Sequence, residues 1–231
     1  MKLSVIIPCY NEKNTIEGVL KKVRLAWPED KEIVVVDDCS SDGTRELLKN
    51  RLSNLIDKLI LHDLNQGKGK TLRTGFSAAS GDILLVQDAD FEYEPDDYRV
   101  VLAPILEGKA DVVFGSRFLF THPRHVLQFH HYMANKFLTF LTCLVTNLHL
   151  TDMETCYKAF KRSVLDRITL REDRFGFEPE FTCKVANLKV SVYEVPIRYN
   201  PRTYAEGKKI GLKDGLRAIY CILKYGLLKF D

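Results

Sequence analysis

The sequence predicts an α/β fold in which a mostly parallel sheet is flanked by helices. Two observations lead to this prediction. Short runs that are apolar on both faces alternate with stretches of helical spacing over the first 118 residues, as is typical of parallel sheets covered by helices. The composition, with 45% hydrophobic and 28% charged residues in a chain of 231, is that of an ordinary globular protein. It excludes disordered, collagen-like and disulfide-scaffold proteins.

Five strands and four helices are expected in this first part of the chain. Aliphatic and β-branched runs predict strands at 3–8, 32–38, 58–62, 82–90 and 110–117. Apolar residues at helical spacing predict helices at 14–27, 44–52, 68–79 and 95–106. Because ligands bind beyond the carboxyl ends of parallel strands, the residues that follow each strand are the first candidates for a functional site.

The second part of the chain is more apolar and ends in a basic segment. Residues 126–150 have Lys136 as their only formal charge and predict either a buried helix pair or a surface helix that rests on lipid. From residue 196 onward, eight Lys and Arg stand against three acids, although the net charge of the whole chain is +3, too small to indicate a nucleic-acid partner. Residues 210–230 predict a basic amphipathic helix that packs on the core or lies in a membrane interface. Its apolar residues are Leu212, Leu216, Ile219, Tyr220, Leu223 and Leu227.

The cysteines and the N-terminus predict a cytoplasmic protein. The six cysteines are dispersed without a CxxC pair, so we expect buried thiols in a reducing compartment rather than a zinc or redox site. The N-terminal apolar run is too short for a signal peptide. No window of 18 residues is continuously apolar, so we expect no transmembrane helix.

Asp88-Ala89-Asp90, at the end of the fourth strand, is the strongest chemical signal. Carboxylates at i and i+2 point to the same side, and such oxygen ligands suit Mg²⁺ or Mn²⁺, which keep positions open for substrate phosphates. The apolar strand that runs into the motif distinguishes it from an ordinary acidic loop. The sequence therefore predicts a site for a divalent cation here.

Two other patterns do not support a site of their own. The segment NQGKGKT, residues 65–71, has Leu64 where a phosphate-binding loop requires glycine, so we reject a P-loop enzyme. The loop could still contact a phosphate or hold the neighbouring strand end. The clustered histidines have no matching acid, and we expect them at the surface or an interface; they are His122, His125, His130 and His131.

Five motifs in order resemble glycosyltransferase family 2. They are PCYNE, VVDDCSSDGT, NQGKGKTLRTGF, GDILLVQDAD and VVFGSR. The continuation resembles the dolichyl- or polyprenyl-phosphate hexosyltransferase branch, which includes the dolichyl-phosphate mannose synthases, through HYMANKFLTFLTCLVTNLHLTDMETCYKAFKRSVL, RFGFEPE and VPIRYNPRTYAEGKKIGLKDG. The resemblance implies a GT-A (Rossmann-like) fold with C-terminal amphipathic helices. It implies one catalytic domain over 1–231, with a nucleotide-sugar-binding half at 1–118 and an acceptor- and membrane-facing half at 119–231.

The resemblance also implies roles for individual residues. The nucleoside would be held by Pro8, Tyr10, Glu12, Val36 and Asp38. The ribose and the diphosphate would contact Asp88, Ala89 and Asp90. The metal (Mg²⁺ or Mn²⁺) would be bound by Asp90 and Glu92, and Glu92 stands where mannose synthases often have Gln. Cationic positions near the diphosphate and the acceptor phosphate are matched by Arg117, Arg202 and Lys208, with Arg124 a weaker candidate on the acceptor side. Asp90 and Arg117 are the implied catalytic residues.

The implied reaction is an inverting hexose transfer from a nucleotide-diphosphate sugar to a polyprenyl or dolichyl phosphate, by a protein peripheral to the cytoplasmic face of a membrane. GDP-mannose is the favoured donor, and UDP-glucose stays open. A metal ion with Arg or Lys stabilises the departing diphosphate, and an ionised phosphate acceptor needs no strong base.

Three alternatives remain to the implied reaction. A glycan hydroxyl acceptor would need a base, for which Asp152 is the candidate, unless it caps a helix. A nucleotidyltransferase would lack its usual Gly-rich loop near the first strand, and an inactive membrane-associated scaffold would not need Asp88, Asp90 and Arg117.

Overall fold

A computed structural model of the chain describes residues 1–119, 126, 128–202 and 211–228. Within them, seven strands form one sheet. The strands are β1 (Leu3–Cys9), β2 (Lys31–Asp37), β3 (Lys58–Leu61), β4 (Ile83–Val86), β5 (Val112–Ser116), β6 (Lys158–Lys161) and β7 (Val192–Pro196). Their spatial order is β3-β2-β1-β4-β6-β5-β7.

Helices connect the strands and cover the sheet. They are α1 (Ile16–Leu25), α2 (Thr44–Asn50), α3 (Lys68–Ala78), α4 (Tyr98–Leu106), α5 (Phe129–Thr146), α6 (Arg162–Leu165), α7 (Phe177–Asn187) and α8 (Leu212–Cys221). Short 3₁₀ turns lie at Ser53–Leu55 and Pro95–Asp97, and α8 continues as a π-helical segment at Ile222–Leu227.

The predicted α/β architecture is confirmed, and one strand interrupts its parallel order. β1 pairs in parallel with β2 and β4, β2 with β3, and β5 with β7. β6 lies antiparallel between β4 and β5. All residues of β2 and β5 are buried, which explains why these runs are apolar without alternation.

The fourth strand is shorter than its apolar run predicts. It ends at Val86 rather than continuing to residue 90. The next side chain, Gln87, is fully buried and accepts hydrogen bonds from the hydroxyls of Tyr98 at 2.8 Å and Tyr157 at 2.6 Å. These bonds hold the chain as it leaves the sheet, so Asp88-Ala89-Asp90 lies in the loop beyond the strand.

The described residues of the apolar segment 126–150 form a single helix, α5, so the expectation of a buried helix pair is wrong. Only its inner face is buried, at Leu138, Thr139 and Thr142. The helix lies at the surface, as the other alternative expects, and its contact with lipid stays a prediction. Along the described parts of the chain, no helix combines the length and the apolar character that crossing a membrane requires.

The C-terminal helix packs through a different face from the one that the apolar spacing suggests. The residues of α8 and its π-helical extension that are buried are Ala218, Cys221, Ile222, Tyr225 and Gly226. A Cβ atom on Gly226 would lie 2.5 Å from a methyl group of Val145, so this helix approaches α5 closely. The larger apolar residues at 216, 220, 223 and 227 are exposed as a result.

Candidate active site

A cavity of about 600 Å³ lies at the carboxyl ends of β1, β2 and β4. It gathers most of the residues to which the family resemblance gives a role, namely Pro8, Tyr10, Glu12, Asp38, Asp88, Ala89, Asp90, Glu92, Arg117 and Arg202. Val36 is not brought into the cavity, because its side chain is fully buried within β2. Arg124 and Lys208 lie outside the described residues.

Asp38 is held at one end of the cavity by the loop that precedes α3. Its Oδ1 lies 2.8 Å from His62 Nδ1 and accepts a hydrogen bond of 2.9 Å from the backbone N–H of Gln66. Its Oδ2 accepts one of 2.7 Å from the backbone N–H of Gly67. These contacts fix the orientation of the carboxylate, which is the condition for a selective contact with a ligand.

The glycines of NQGKGKT serve close packing. Gly67 has φ +91°, and a Cβ atom there would lie 2.5 Å from the carbonyl oxygen of Asp173. A Cβ atom on Gly69 would lie 2.1 Å from the carbonyl oxygen of Glu172. The segment 172–174 therefore lies directly on this loop. The loop holds the neighbouring strand ends through Asp38 and through Lys68.

Lys68 joins two carboxylates on the floor of the cavity. Its Nζ lies 3.1 Å from Asp88 Oδ1 and 3.1 Å from Glu178 Oε1. Burial by itself would raise the pKa of Asp88, but the positive charge of Lys68 holds it below its usual value. Asp88 therefore stays ionised, although it is largely shielded from solvent.

Asp90 lies in a concentration of negative charge that one arginine compensates only in part. Arg202 donates from Nη2 to Asp90, from Nη1 to both carboxylate oxygens of Glu12 at 3.1 Å, and from its backbone N–H to Glu92 Oε1 at 2.8 Å. Burial, followed by the charges of Asp88 and Glu92, raises the pKa of Asp90 to about 7. The site thus has a deficit of positive charge.

The donor set at Asp90 fits a divalent cation. Among the residues that the structure describes, no three His, Cys, Asp or Glu side chains form a preassembled metal cage. Mg²⁺ does not need one, because it is typically held by one or two carboxylates together with substrate phosphates and water. Asp90 and Glu92 can supply those carboxylates, and a cation there would relieve the repulsion that raises the pKa of Asp90.

Arg117 lines the cavity and is fixed in place by Asp152. Asp152 Oδ2 accepts hydrogen bonds from the backbone N–H of Arg117 at 3.0 Å and from its Nε at 2.6 Å. Oδ1 accepts from Arg117 Nη2 at 2.7 Å and from Asn135 Nδ2 at 3.1 Å. Although Asp152 is fully buried, the charge of Arg117 and these bonds hold its pKa below the usual value. All four acceptor positions are used, so Asp152 is poorly suited to be a general base. A turn leading to β6 follows it, so the helix-cap interpretation is wrong.

Several residues line the cavity that the sequence analysis does not single out. Three charged ones among them are Lys68, Glu154 and Glu178. Each lies in a motif that the resemblance includes, respectively NQGKGKT, TDMETCYK and RFGFEPE. The motifs were visible, but only the folded chain shows that their charged side chains meet.

Comparison with known proteins supplies the family. The profile of Glycosyl transferase family 2 matches residues 4–169. This chain belongs to glycosyl transferase family 2. It is 30% identical over 230 residues to a dolichol-phosphate mannosyltransferase of Pyrococcus furiosus, over 97% of this chain and 64% of that protein. It is 28% identical over 237 residues to a UDP-N-acetylglucosamine–dolichyl-phosphate N-acetylglucosaminyltransferase of Methanococcus voltae, over 95% of this chain and 94% of that protein.

The fold of this family 2 chain is also that of solved glycosyltransferase structures. A crystal structure of glucosyl-3-phosphoglycerate synthase from Mycobacterium tuberculosis, in complex with Mn²⁺, uridine diphosphate and glucosyl-3-phosphoglycerate, is similar to it with a TM-score of 0.74 at 19% identity. The similarity covers 97% of this chain and 80% of that one. The chain therefore has the GT-A fold.

Proposed function

We propose that this glycosyltransferase moves a hexose from a nucleotide-diphosphate sugar to a polyprenyl or dolichyl phosphate, with Mg²⁺ or Mn²⁺, at a membrane surface. One observation carries the proposal. The charged cavity beyond the strand ends is also lined by α5 and α8, the helices whose large apolar side chains are exposed. A water-soluble donor and a lipid-borne phosphate could therefore reach the same space. The two dolichyl-phosphate enzymes described above support this choice of acceptor.

The donor would lie along the ends of β1, β2 and β4. Asp38 and Glu12 offer oriented acceptors for the nucleoside, and Asp90 with Glu92 would hold the metal against the diphosphate. When bound, the metal would supply positive charge that stabilises the departing nucleoside diphosphate. Arg202 already faces these carboxylates, so the arrival of a metal and a diphosphate would give its guanidinium a new anionic partner.

The acceptor would lie near Arg117. The bidentate contact with Asp152 holds the guanidinium in one orientation, and Tyr199 lies against it with its ring centre 5.0 Å from Cζ. A fixed cation of this kind suits a phosphate group. Because a phosphate oxygen is already ionised at neutral pH, the attack on the anomeric carbon requires no general base. The occupied acceptor positions of Asp152 agree with this chemistry.

The membrane contact would be made by an apolar surface on α5 and α8. The exposed large apolar side chains of α5 follow one another at three- or four-residue spacing and therefore form a stripe; they are Phe129, Met133, Phe137, Phe140 and Leu144. The C-terminal helix adds Leu216, Tyr220, Leu223, Leu227 and Leu228. Lys213, also exposed, provides positive charge that attracts anionic lipid.

A transfer assay tests the reaction. The protein is incubated with Mn²⁺ or Mg²⁺, a short polyprenyl phosphate, and radiolabelled GDP-mannose, UDP-glucose or UDP-N-acetylglucosamine. We expect label from one donor to enter the organic phase and to be lost when EDTA is added. Metal-dependent donor hydrolysis without organic-phase label would instead indicate a hydroxyl acceptor.

Flotation with liposomes tests the membrane contact. We expect the protein to float with vesicles that contain anionic lipid at low salt, and the double variant Phe137→Ser/Phe140→Ser to remain at the bottom of the gradient. Leu25→Ser is the control, because Leu25 is an exposed apolar residue on α1, outside this surface. Failure of the wild type to float would contradict the proposed membrane surface.

A further inference from the structure

The loop between α5 and β6 is pinned on both sides of one residue, Glu154. The backbone N–H of Met153 donates to Thr139 Oγ1 at 3.1 Å, and that of Cys156 donates to the hydroxyl of Tyr93 at 3.0 Å. The buried Lys158 donates from Nζ to the carbonyl oxygens of Met153 and Thr155. The main chain that carries Glu154 is therefore held in place before any ligand arrives.

Glu154 is directed into the cavity and its carboxyl group is not satisfied there. Its Oε1 is buried and has no hydrogen-bond partner among the residues that the structure describes, although the side chain lines the cavity. Glu178, from the first turn of α7, also lines the cavity and is only 4% exposed, and its Oε2 is likewise buried without a partner in the described part of the chain. Buried polar atoms are almost always paired, so two unpaired oxygens on a fixed wall indicate a ligand that supplies the missing bonds.

The two carboxyl groups differ in their partners. Glu178 Oε1 forms an ion pair with Lys68 at 3.1 Å. Burial, and then the charge of Glu178, raise the pKa of Glu154 to about 8. The other charged groups that act on Glu154 are Lys158, Arg117 and Asp152. Near pH 7, Glu154 is therefore a neutral carboxylic acid that can donate a hydrogen bond, whereas Glu178, held by the Lys68 ammonium, offers its second oxygen as an acceptor.

A donor beside an acceptor suits a sugar better than a phosphate. Each hydroxyl of a hexose both donates and accepts a hydrogen bond, so two neighbouring hydroxyls can satisfy a carboxylic acid and a carboxylate together. A phosphate oxygen would be repelled by Glu178. The position of the two glutamates in the cavity agrees with this chemistry. Lys68 links Glu178 to Asp88, which lies at the proposed diphosphate end. The charges of Asp152 and Arg117, at the proposed acceptor end, influence the pKa of Glu154.

We propose that Glu154 and Glu178 form the subsite for the transferred hexose, and that Glu154 selects the donor by hydrogen bonding to the sugar hydroxyls. This inference rests on the proposed function, since it requires a nucleotide-sugar donor in the same cavity. Glu178 is constrained by its ion pair with Lys68, so Glu154 is the residue that can be changed with the least disturbance of the floor of the cavity.

Calorimetric titration in the presence of Mn²⁺ tests the subsite by comparing a nucleotide sugar with its own diphosphate. The pairs are GDP-mannose with GDP, and UDP-glucose or UDP-N-acetylglucosamine with UDP. For Glu154→Ala we expect the affinity for the preferred nucleotide sugar to fall by about tenfold, while the affinity for the diphosphate stays within about twofold. Glu154→Gln, which keeps an N–H donor, should lose less. Glu107→Gln, on an exposed ion pair, is the control that should change neither affinity.

The outcomes separate this inference from the one on which it rests. Retained binding of the diphosphate shows that each variant is folded. If the variants lose no affinity for the nucleotide sugar, Glu154 does not contact the hexose and the subsite is wrong. The same holds if binding of the nucleotide sugar is unchanged and only transfer to polyprenyl phosphate, in the assay described above, is lost, because Glu154 would then act on the acceptor. A wild type that binds neither nucleotide diphosphate would overturn the proposed function itself, and the subsite with it.

Discussion

Replacing Asp152 by Asn tests whether this carboxylate stabilises the fold and orients Arg117 rather than serving as a base. The side chain is fully buried, and it accepts two hydrogen bonds from the guanidinium of Arg117, one from the backbone N–H of that residue and one from Asn135. An amide has the same shape but turns an NH₂ group towards the guanidinium or towards a backbone donor. The charge of Arg117 is then buried without its counterion.

The size of the effect follows from that loss. Removing one partner of a buried ion pair costs about 3–5 kcal/mol. For a chain of this length, about 2–4 °C of melting temperature corresponds to 1 kcal/mol, so we expect the melting temperature to fall by roughly 6–20 °C. With a urea m-value of about 3 kcal/mol/M, the midpoint should fall by about 1–1.7 M.

Urea titration followed by circular dichroism measures the change, with Glu107→Gln as the control. Glu107 pairs with Lys109 at 2.7 Å, but both side chains are more than half exposed, so we expect no measurable shift of the midpoint. A midpoint for Asp152→Asn equal to that of the wild type, together with complete loss of transfer, would refute the reasoning. It would show that Asp152 takes part in the chemistry without stabilising the fold.

Three other predictions concern the cavity. Asp90→Asn should abolish turnover while the circular dichroism spectrum stays that of the wild type; wild-type transfer would exclude Asp90 as the metal ligand. Arg202→Ala should strengthen Mn²⁺ binding without nucleotide, measured by electron paramagnetic resonance, because a competing cation is removed, and should weaken diphosphate binding. Burial and Glu178 raise the pKa of Glu154 from 4.5 to about 8, so the folded state binds more protons than the unfolded state between these values. Stability should therefore fall as pH rises from about 5 to 8, and Glu154→Gln should reduce this slope in denaturation at each pH.

The first half of the fold could be predicted because its signals are local. The apolar runs that become β1, β2 and β5 are buried on both faces, and the helices between them have regular apolar spacing. The fourth strand was predicted too long because Val86 is followed by a polar residue, Gln87, whose burial depends on Tyr98 and Tyr157. Neither tyrosine is a neighbour in sequence, so the local pattern carries no sign of this bond.

The C-terminal helix shows the opposite difficulty. Its large apolar residues allow a face that packs on the core or one that lies in a membrane interface, and the buried face is a different one, which includes Ala218, Tyr225 and Gly226. The close approach of this helix to α5 favours small side chains at the contact. The spacing of apolar residues alone does not show which of the two faces of the helix makes that contact. The stripe at 216–227 was therefore identified correctly as apolar, whereas its exposure could be learned only from the structure.

The candidate site was predictable where residues follow strands and unpredictable where they come from distant loops. Asp88, Asp90 and Arg117 were selected because they end apolar runs, and the structure places all three at one cavity. Glu154 and Glu178 are 24 positions apart in sequence, and their proximity depends on how α7 packs. The effect of Glu178 on the protonation of Glu154 exists only in the folded chain.

The position of β6 has a consequence for the order in which the chain can fold during synthesis. In the sheet, β5 has two neighbours, β6 and β7, and both follow it in sequence. When a ribosome has released only the first 118 residues, β1 to β4 already have partners among themselves, whereas β5 has none. The sheet can close across this gap only after residue 161 has emerged. Until then, the unpaired edges of β4 and β5 are surfaces that a chaperone or an aggregating chain could bind.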